Sequence, residues 1–196
     1  MNYKVFAAVT IAGCAALFAA FTQSLAGEPA ASSALDDKAL IARGDYLVTT
    51  SACHDCHTPW KMGPQGPEAD MSRMLSGHSE TDTVTAPAVL PGPWEMAMSS
   101  DHTAWSGPWG VSFTANLTPD DETGLGKWTL GLFKDTIRNG RHKGRGRELL
   151  PPMPIPMYRN FSDDDLEAIF AFLQSIPAVK NRVPEPLPPP GMVSAN

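Results

Sequence analysis

The 196-residue sequence lacks features that would place it in several common classes of protein. It contains three cysteines, Cys14, Cys53 and Cys56, which are too few for the two cysteine pairs of a usual structural zinc site. It has no surplus of basic residues, since the formal net charge is −6, so nucleic acid is not an expected partner. No repeat is visible, and the apolar run at residues 5–21 is shorter than the roughly twenty residues of a comfortable membrane span.

The first 26 residues have the pattern of a secretory signal peptide. Lys4 gives the positive start, the apolar run follows, and Ser24-Leu25-Ala26 supplies small residues before a cleavage point. We therefore expect cleavage after Ala26 and a periplasmic mature protein. An uncleaved membrane anchor is the alternative, and a lipoprotein-like box ending at Cys14 is less favoured because apolar residues continue beyond it.

The two remaining cysteines belong to the run Cys53-His54-Asp55-Cys56-His57, which is the pattern of covalent c-type haem attachment. Two thiols at this spacing can each form a thioether with one vinyl group of the same porphyrin, and His57 then becomes the proximal iron ligand. Its other ring nitrogen should donate to a carbonyl or similar acceptor. A redox-active dithiol would need a thioredoxin-like strand and helix, which this region lacks. The motif predicts one haem c.

Three segments have the spacing of apolar residues that is typical of helices. The first runs from Asp36 to about Ser51 and leads into the haem motif. The second, 129–139, has a capping threonine at its start and Gly140 as a left-handed stop. The third begins at Ser162, which stands at capping-box spacing from Asp165, and ends before Pro177. These segments predict a helical core.

Gly44 stands in the middle of the first predicted helix. A glycine there costs about 1 kcal/mol relative to alanine. A second helix that crosses closely at this point would explain it, and a merely tolerated glycine is the alternative.

About fifty residues between His57 and Trp109 show little helical periodicity and are rich in proline, glycine and serine. We expect the segment 58–108 to be a long irregular insertion that covers one edge of the haem, with a docking surface as the alternative. After the last helix, residues 182–196 form a proline-rich tail, which should lie extended on the surface or fray. The domain itself is expected to cover residues 27–181.

A methionine between prolines in the segment 149–158 is a candidate for the second axial ligand. Met153 is the first choice, because the prolines on both sides limit how much entropy the loop gains by opening. Met157 is its competitor, and either side chain could serve only in core packing. Three histidines are weaker candidates for the same position: His78, His102 and His142.

Taken together, these features resemble the class I cytochrome c family, in particular bacterial periplasmic single-haem cytochromes and dehydrogenase cytochrome subunits. The resemblance spans most of the mature chain and depends on the haem motif with Gly44-Asp45-Tyr46-Leu47, Asn116-Leu117-Thr118-Pro119-Asp120, Thr123-Gly124-Leu125-Gly126-Lys127-Trp128, Gly144-Arg145-Gly146-Arg147, Met153-Pro154 and Ser162-Asp163-Asp164-Asp165-Leu166. It implies an all-α fold whose first and last helices cross, and Met153 as distal ligand. The chain departs from the pattern at Ile155, where relatives often have an aromatic residue, and in its insertion.

Five basic residues lie within ten positions of this acidic sequence: Arg138, Arg141, Lys143, Arg145 and Arg147. A solvated loop is one interpretation. Pairing with haem propionates and docking of an acidic partner are the other two.

With His57 and Met153 as axial ligands, the iron can cycle between two oxidation states without an open coordination position. The sequence therefore predicts an electron-transfer protein that is not itself an enzyme. It would pass electrons from a dehydrogenase or respiratory donor to a terminal oxidase or reductase, with peripheral membrane association as a secondary expectation. The alternatives are a cytochrome subunit of a haem enzyme, such as a peroxidase or a sulfur-compound oxidising unit, and a haem-based gas sensor with a replaceable distal ligand.

Overall fold

Helices and short strands follow one another along residues 37–189, the part of the chain that this computed structural model describes. The elements are α1 (Asp37–Thr50), α2 (Cys53–His57), β1 (Trp60–Gly63), β2 (Gly66–Ala69), β3 (Ala97–Met98), β4 (Ala104–Gly107), β5 (Gly110–Phe113), α3 (Leu130–Asn139), α4 (Ile155–Tyr158) and α5 (Asp163–Ser175). They all belong to one compact unit. The predicted signal peptide, 1–26, lies outside the described residues.

The two antiparallel sheets make the fold mixed, so the prediction of an all-α fold was wrong. β1 pairs with β2 around Pro64-Gln65, and a three-stranded sheet has the order β3-β4-β5. Most of these strands lie in the segment 58–108, which was expected to be irregular. The strands are only two to four residues long, so they have little periodicity to detect, and several of them contain glycine or proline.

The three predicted helices are confirmed as α1, α3 and α5. The Thr129 side chain accepts a hydrogen bond from the backbone N–H of Leu132 at 3.2 Å and so caps α3. Gly140, in the left-handed conformation with φ of 62°, ends that helix. Ser162 caps α5 by accepting from the N–H of Asp165 at 3.0 Å, while the Asp165 carboxylate accepts from Arg43 on α1.

α1 crosses α5 at Gly44, as the sequence predicted. A Cβ atom at Gly44 would lie 2.0 Å from the carbonyl oxygen of Ala168 and 2.6 Å from the Cβ of Phe172. Around this crossing lies the main apolar core, whose buried side chains are Leu47, Val48, Leu75, Leu125, Phe133, Ile137, Ile155, Leu166, Ala168, Ile169, Phe172, Leu173 and Ile176. None of the helices within residues 37–189 is both long and apolar enough to cross a membrane.

The chain after α5 runs back to the β5 edge of the three-stranded sheet. Val111 and Leu187 exchange two backbone hydrogen bonds of 2.9 Å. Just before this point the buried Asn181 side chain donates to the carbonyl oxygens of Ser76 and His78 at 2.7 and 2.8 Å. The segment up to residue 189 is therefore extended and joined to the sheet, whereas residues 190–196 lie outside the described part of the chain.

Candidate metal centre

α2 brings the two cysteines and the histidine of the haem motif into little more than one helical turn. α1 ends at Thr50, and Ala52, in the left-handed conformation with φ of 60°, turns the chain so that α2 can begin at Cys53. Neither Cys53 nor Cys56 takes part in a disulfide. The motif thus presents two free thiols and one imidazole from a single short helix.

The imidazole of His57 is buried and held in one orientation. Its Nδ1 lies 2.8 Å from the carbonyl oxygen of Ala115, and because a carbonyl only accepts, Nδ1 carries the proton. Burial lowers the pKa of His57, so the ring is neutral at ordinary pH. The carbonyl acceptor expected from the sequence is confirmed. The neutral ring leaves Nε2, which has no partner among residues 37–189, with a lone pair available for a metal.

The two thiols have the protonation expected of unreactive cysteines. Burial raises the pKa of Cys53 to about 11, and burial together with the nearby Asp55 carboxylate raises the pKa of Cys56. Redox-active dithiols depend on a lowered pKa, so this environment disfavours the dithiol interpretation. In the described part of the chain no group of three or more His, Cys, Asp or Glu side chains is placed to hold a metal ion.

The helix that carries the thiols contacts the segment that carries the candidate methionine. The Tyr158 hydroxyl, at the end of α4, donates to the carbonyl oxygen of Ser51, and Tyr158 and Cys53 both pack against the main apolar core. Burial raises the pKa of Tyr158, so the phenol stays protonated and remains a donor. This hydrogen bond therefore joins the turn between α1 and α2 to the end of α4, five residues after Met153.

Of the two methionines in this segment, Met153 has the more suitable surroundings. It is partly buried and packs against the apolar core, whereas Met157 is 71% exposed. A cavity of about 300 Å³ borders Met153, and Arg141, Leu149 and Arg159 also line it. Met153 thus lies between the apolar core and a cavity whose lining includes charged side chains, and its burial is what favours it over Met157.

The three histidine alternatives make different contacts. His78 is fully buried, with Nδ1 2.7 Å from the Thr103 hydroxyl and Nε2 3.0 Å from the Asp82 carbonyl oxygen. Both of its ring nitrogens are therefore engaged, which disfavours His78 as a ligand and gives it a structural role. His102 and His142 contact tryptophan rings, Trp60 at a tilt and Trp128 edge to face.

A hydrogen bond that the sequence did not predict joins the segments that carry the two candidate axial ligands. The hydroxyl of Ser112, on β5, donates to the carbonyl oxygen of Pro151 at 2.6 Å, two residues before Met153. Three positions after Ser112 stands Ala115, the acceptor for His57. The short alternating run at 110–113 could have predicted β5. No local signal could have identified the partners of this segment, because Pro151 is 39 residues from Ser112 and His57 is 58 residues from Ala115.

The basic cluster is largely paired within the molecule. Arg138 binds the Asp163 carboxylate at 2.6 Å, and two further arginines form ion pairs: Arg141 with Glu148 at 2.8 Å and Arg147 with Glu185 at 3.3 Å. Lys143 and Arg145 are exposed and have no ion pair with any residue in the described ranges. Much of the positive charge is therefore neutralised locally, and two cations remain at the surface.

The residues present fit a covalently attached haem. Two free thiols and an oriented neutral imidazole lie together, and a partly buried thioether is joined to the same segment of chain. Three buried polar groups have no hydrogen-bond partner among residues 37–189: the indole N–H groups of Trp60 and Trp109 and the hydroxyl of Thr114.

Comparison with known proteins shows relatives among cytochromes and dehydrogenase subunits, and no protein-family model matches the chain. The cytochrome c subunit of the quinone-dependent alcohol dehydrogenase of Gluconobacter oxydans is 30% identical over 152 residues, which are 76% of this chain and 24% of that protein. The cytochrome c subunit of the gluconate 2-dehydrogenase of Pantoea cypripedii is 28% identical over 134 residues, 68% of this chain and 22% of that protein. A diheme cytochrome c-type protein of Cereibacter sphaeroides is 25% identical over 182 residues, 92% of this chain and 49% of that protein.

These relatives support a cytochrome c family for the chain. The chain spans less than a quarter of the two dehydrogenase subunits and about half of the diheme protein.

Proposed function

We propose that this chain is an exported one-electron carrier that holds one haem c and works with a dehydrogenase. Cys53 and Cys56 would form the thioethers, and His57 and Met153 would be the axial ligands. The observation that carries the proposal is the geometry of His57, which lies buried in the attachment motif with Nδ1 bonded to Ala115 and Nε2 without a partner in the described part of the chain. A structural histidine in a core usually has both ring nitrogens satisfied, as His78 does here.

When bound, haem c supplies a one-electron couple, and histidine with methionine ligation raises its potential relative to two nitrogen ligands. The protein's part is orientation and exclusion of water. The Ala115 carbonyl fixes the ring plane and the tautomer of His57, and the α1–α5 core buries the side chains behind the motif. Because α1 and α5 pack backbone against backbone at Gly44, the attachment helix extends from a rigid base.

The dehydrogenase partner is proposed from the relatives, which are named as cytochrome c subunits of alcohol and gluconate dehydrogenases. This chain would accept electrons from a catalytic subunit and pass them to a respiratory acceptor, without catalysing the substrate reaction itself. One haem is proposed because the sequence contains one attachment motif. The periplasmic location is proposed from residues 1–26, since thioether attachment to exported chains needs a haem supply outside the bacterial cytoplasm.

The proposal is tested by producing the full-length chain in a bacterium that has the machinery for covalent haem attachment. We expect haem to remain with the polypeptide after denaturation and both thiols to resist an alkylating reagent. Single Cys53→Ala and Cys56→Ala variants should each show attachment through one thioether or none. Colourless exported protein with two alkylatable thiols would show that haem attachment is wrong.

Carbon monoxide tests the distal side of the reduced protein. An electron carrier with a bound Met153 should not bind the gas readily at neutral pH, whereas Met153→Ala should bind it promptly and at a lower reduction potential. Met157→Ala is the matched control, because that methionine lies four residues away and is exposed. Prompt binding by the unaltered protein would favour the gas-sensor or haem-enzyme alternatives. Prompt binding by Met157→Ala but not by Met153→Ala would make Met157 the distal ligand.

A further inference from the structure

Ser112 makes a short, buried hydrogen bond to the loop that carries Met153. The serine is 8% exposed, and its hydroxyl lies 2.6 Å from the Pro151 carbonyl oxygen. A second acceptor, the Trp105 carbonyl oxygen, lies 3.4 Å away on the neighbouring strand. A hydroxyl has one proton to donate, so the nearer carbonyl takes it.

Hydrogen bonds to other elements hold both ends of the loop around Met153. Leu149 donates to the Gly140 carbonyl oxygen at 2.9 Å, and the Tyr158 hydroxyl donates to Ser51. Between them, the Met153 N–H is 3.3 Å from the Leu150 carbonyl oxygen and the Met153 carbonyl accepts from Ile155 at 2.9 Å, so both bonds lie within the loop. Ser112 therefore supplies the hydrogen bond closest to Met153 in sequence that joins this loop to a different element of the fold.

That element is itself well anchored. β5 pairs with β4 on one side and with Leu187 on the other, and the chain continues directly to Ala115, which accepts from His57. Extended chain covers about 3.3 Å per residue, so the anchors for the two axial ligands lie roughly 10 Å apart along one segment. A displacement of the Met153 loop relative to His57 must break the Ser112 bond or bend this segment.

We infer that Ser112 is a positioning residue for the distal ligand: its hydroxyl holds the Pro151 carbonyl and so would restrain the loop from which the Met153 thioether would bind the haem iron. This inference rests on the proposed His57 and Met153 ligation. In this interpretation the β3-β4-β5 sheet helps to keep the weak thioether ligand bound. The sequence pattern does not predict this role for a serine in a short strand.

The test compares Ser112→Ala with Ser106→Ala in the haem-loaded, full-length protein. Ser106 is the matched control because it stands on β4 in the same sheet, is also buried, and accepts from the Ala88 N–H at 2.8 Å instead of binding the Met153 loop. The probe is imidazole, which replaces a methionine ligand only when the loop opens. Its binding is followed by loss of the red-region absorption band of a thioether-ligated ferric haem.

We expect Ser112→Ala to bind imidazole about five to ten times more tightly than the unaltered protein, the effect of one lost hydrogen bond on loop opening. Ser106→Ala should stay within about twofold, and Ser112→Thr should restore the original affinity because it keeps the hydroxyl. If Ser112→Ala does not fold, Ser112→Cys gives the same comparison with a weaker donor of similar size.

Equal imidazole affinity in Ser112→Ala and Ser106→Ala would overturn the inference and leave Ser112 with a purely structural role. If the unaltered ferric protein lacks the thioether band from the start, the Met153 assignment in the proposed function fails, and the role of Ser112 fails with it. The two failures are distinguished by the spectrum before imidazole is added.

Discussion

Replacing Gly44 with alanine measures how closely α1 and α5 pack. The added Cβ would meet the carbonyl oxygen of Ala168 at 2.0 Å and the Cβ of Phe172 at 2.6 Å. Carbon atoms not bonded to each other prefer about 3.5 to 4.0 Å, so the helices would have to separate by roughly 1 Å. Part of the obstruction is backbone and cannot rotate away, so we expect strain instead of a side-chain adjustment.

The magnitude follows from two opposing terms. Overpacking of a dense core costs about 1 to 3 kcal/mol, and the backbone obstruction places this case at the upper end. Alanine gains back about 1 kcal/mol relative to glycine inside a helix. The net loss in the free energy of unfolding is therefore about 2 kcal/mol, which lowers Tm by roughly 4 to 8 °C for a chain of this size.

Denaturant unfolding followed by circular dichroism provides the assay, and Gly131→Ala provides the control. Gly131 is exposed near the start of α3, and the nearest atom to its added Cβ would be 4.0 Å away. That variant should leave the free energy of unfolding unchanged or raise it by up to about 1 kcal/mol. A Gly44→Ala protein as stable as the unaltered one would refute the close approach of the helices.

Two further predictions concern hydrogen bonds near the site. Tyr158→Phe removes the donor to Ser51 and should lower the free energy of unfolding by about 1 kcal/mol, while Tyr46→Phe at an exposed position should change it by less than about 0.5 kcal/mol; equal effects would contradict the prediction. Hydrogen bonds from Ser72 and Arg73 hold the pKa of the buried Asp70 well below its usual range, so its stabilisation is complete above about pH 5 and is lost as pH falls. Asp70→Asn should therefore be less stable than the unaltered protein at neutral pH and should approach its stability in acid, as chemical denaturation over a pH series can show; a stability difference that is the same at every pH would contradict the prediction.

The helices could be predicted because their signals are local. Thr129, Gly140 and Ser162 mark helix ends through bonds to residues three or four positions away, and Gly44 indicated a crossing because a glycine in a helix interior needs a packing reason. The strands were missed because none in this region is longer than four residues and because Pro67 stands inside β2, where a predicted strand is normally ruled out.

The candidate site, too, could be predicted only where its signals are local. The attachment motif and the preference for Met153 over Met157 came from neighbouring residues, and the structure adds that Met157 is exposed. The kind of acceptor for His57 was predicted from the chemistry of imidazole, but its identity as Ala115 depends on how the sheet packs beside α2. Long-range placement of this kind leaves no trace in spacing or composition.

β5 follows the insertion 58–108 and pairs with β4, the insertion's last strand, so the insertion is joined to a segment with several long-range contacts. Within six residues, the segment 110–115 pairs with Leu187, binds Pro151 through Ser112, accepts from the backbone of His78 at Thr114, and accepts from His57 at Ala115. The segment 110–115 is therefore hydrogen-bonded both to His57 and to the loop that carries Met153, the two ligands of the proposed haem site. A displacement of this segment would disturb both contacts together. If the proposed ligation is right, changes in this segment should alter ligand binding and reduction potential as well as stability.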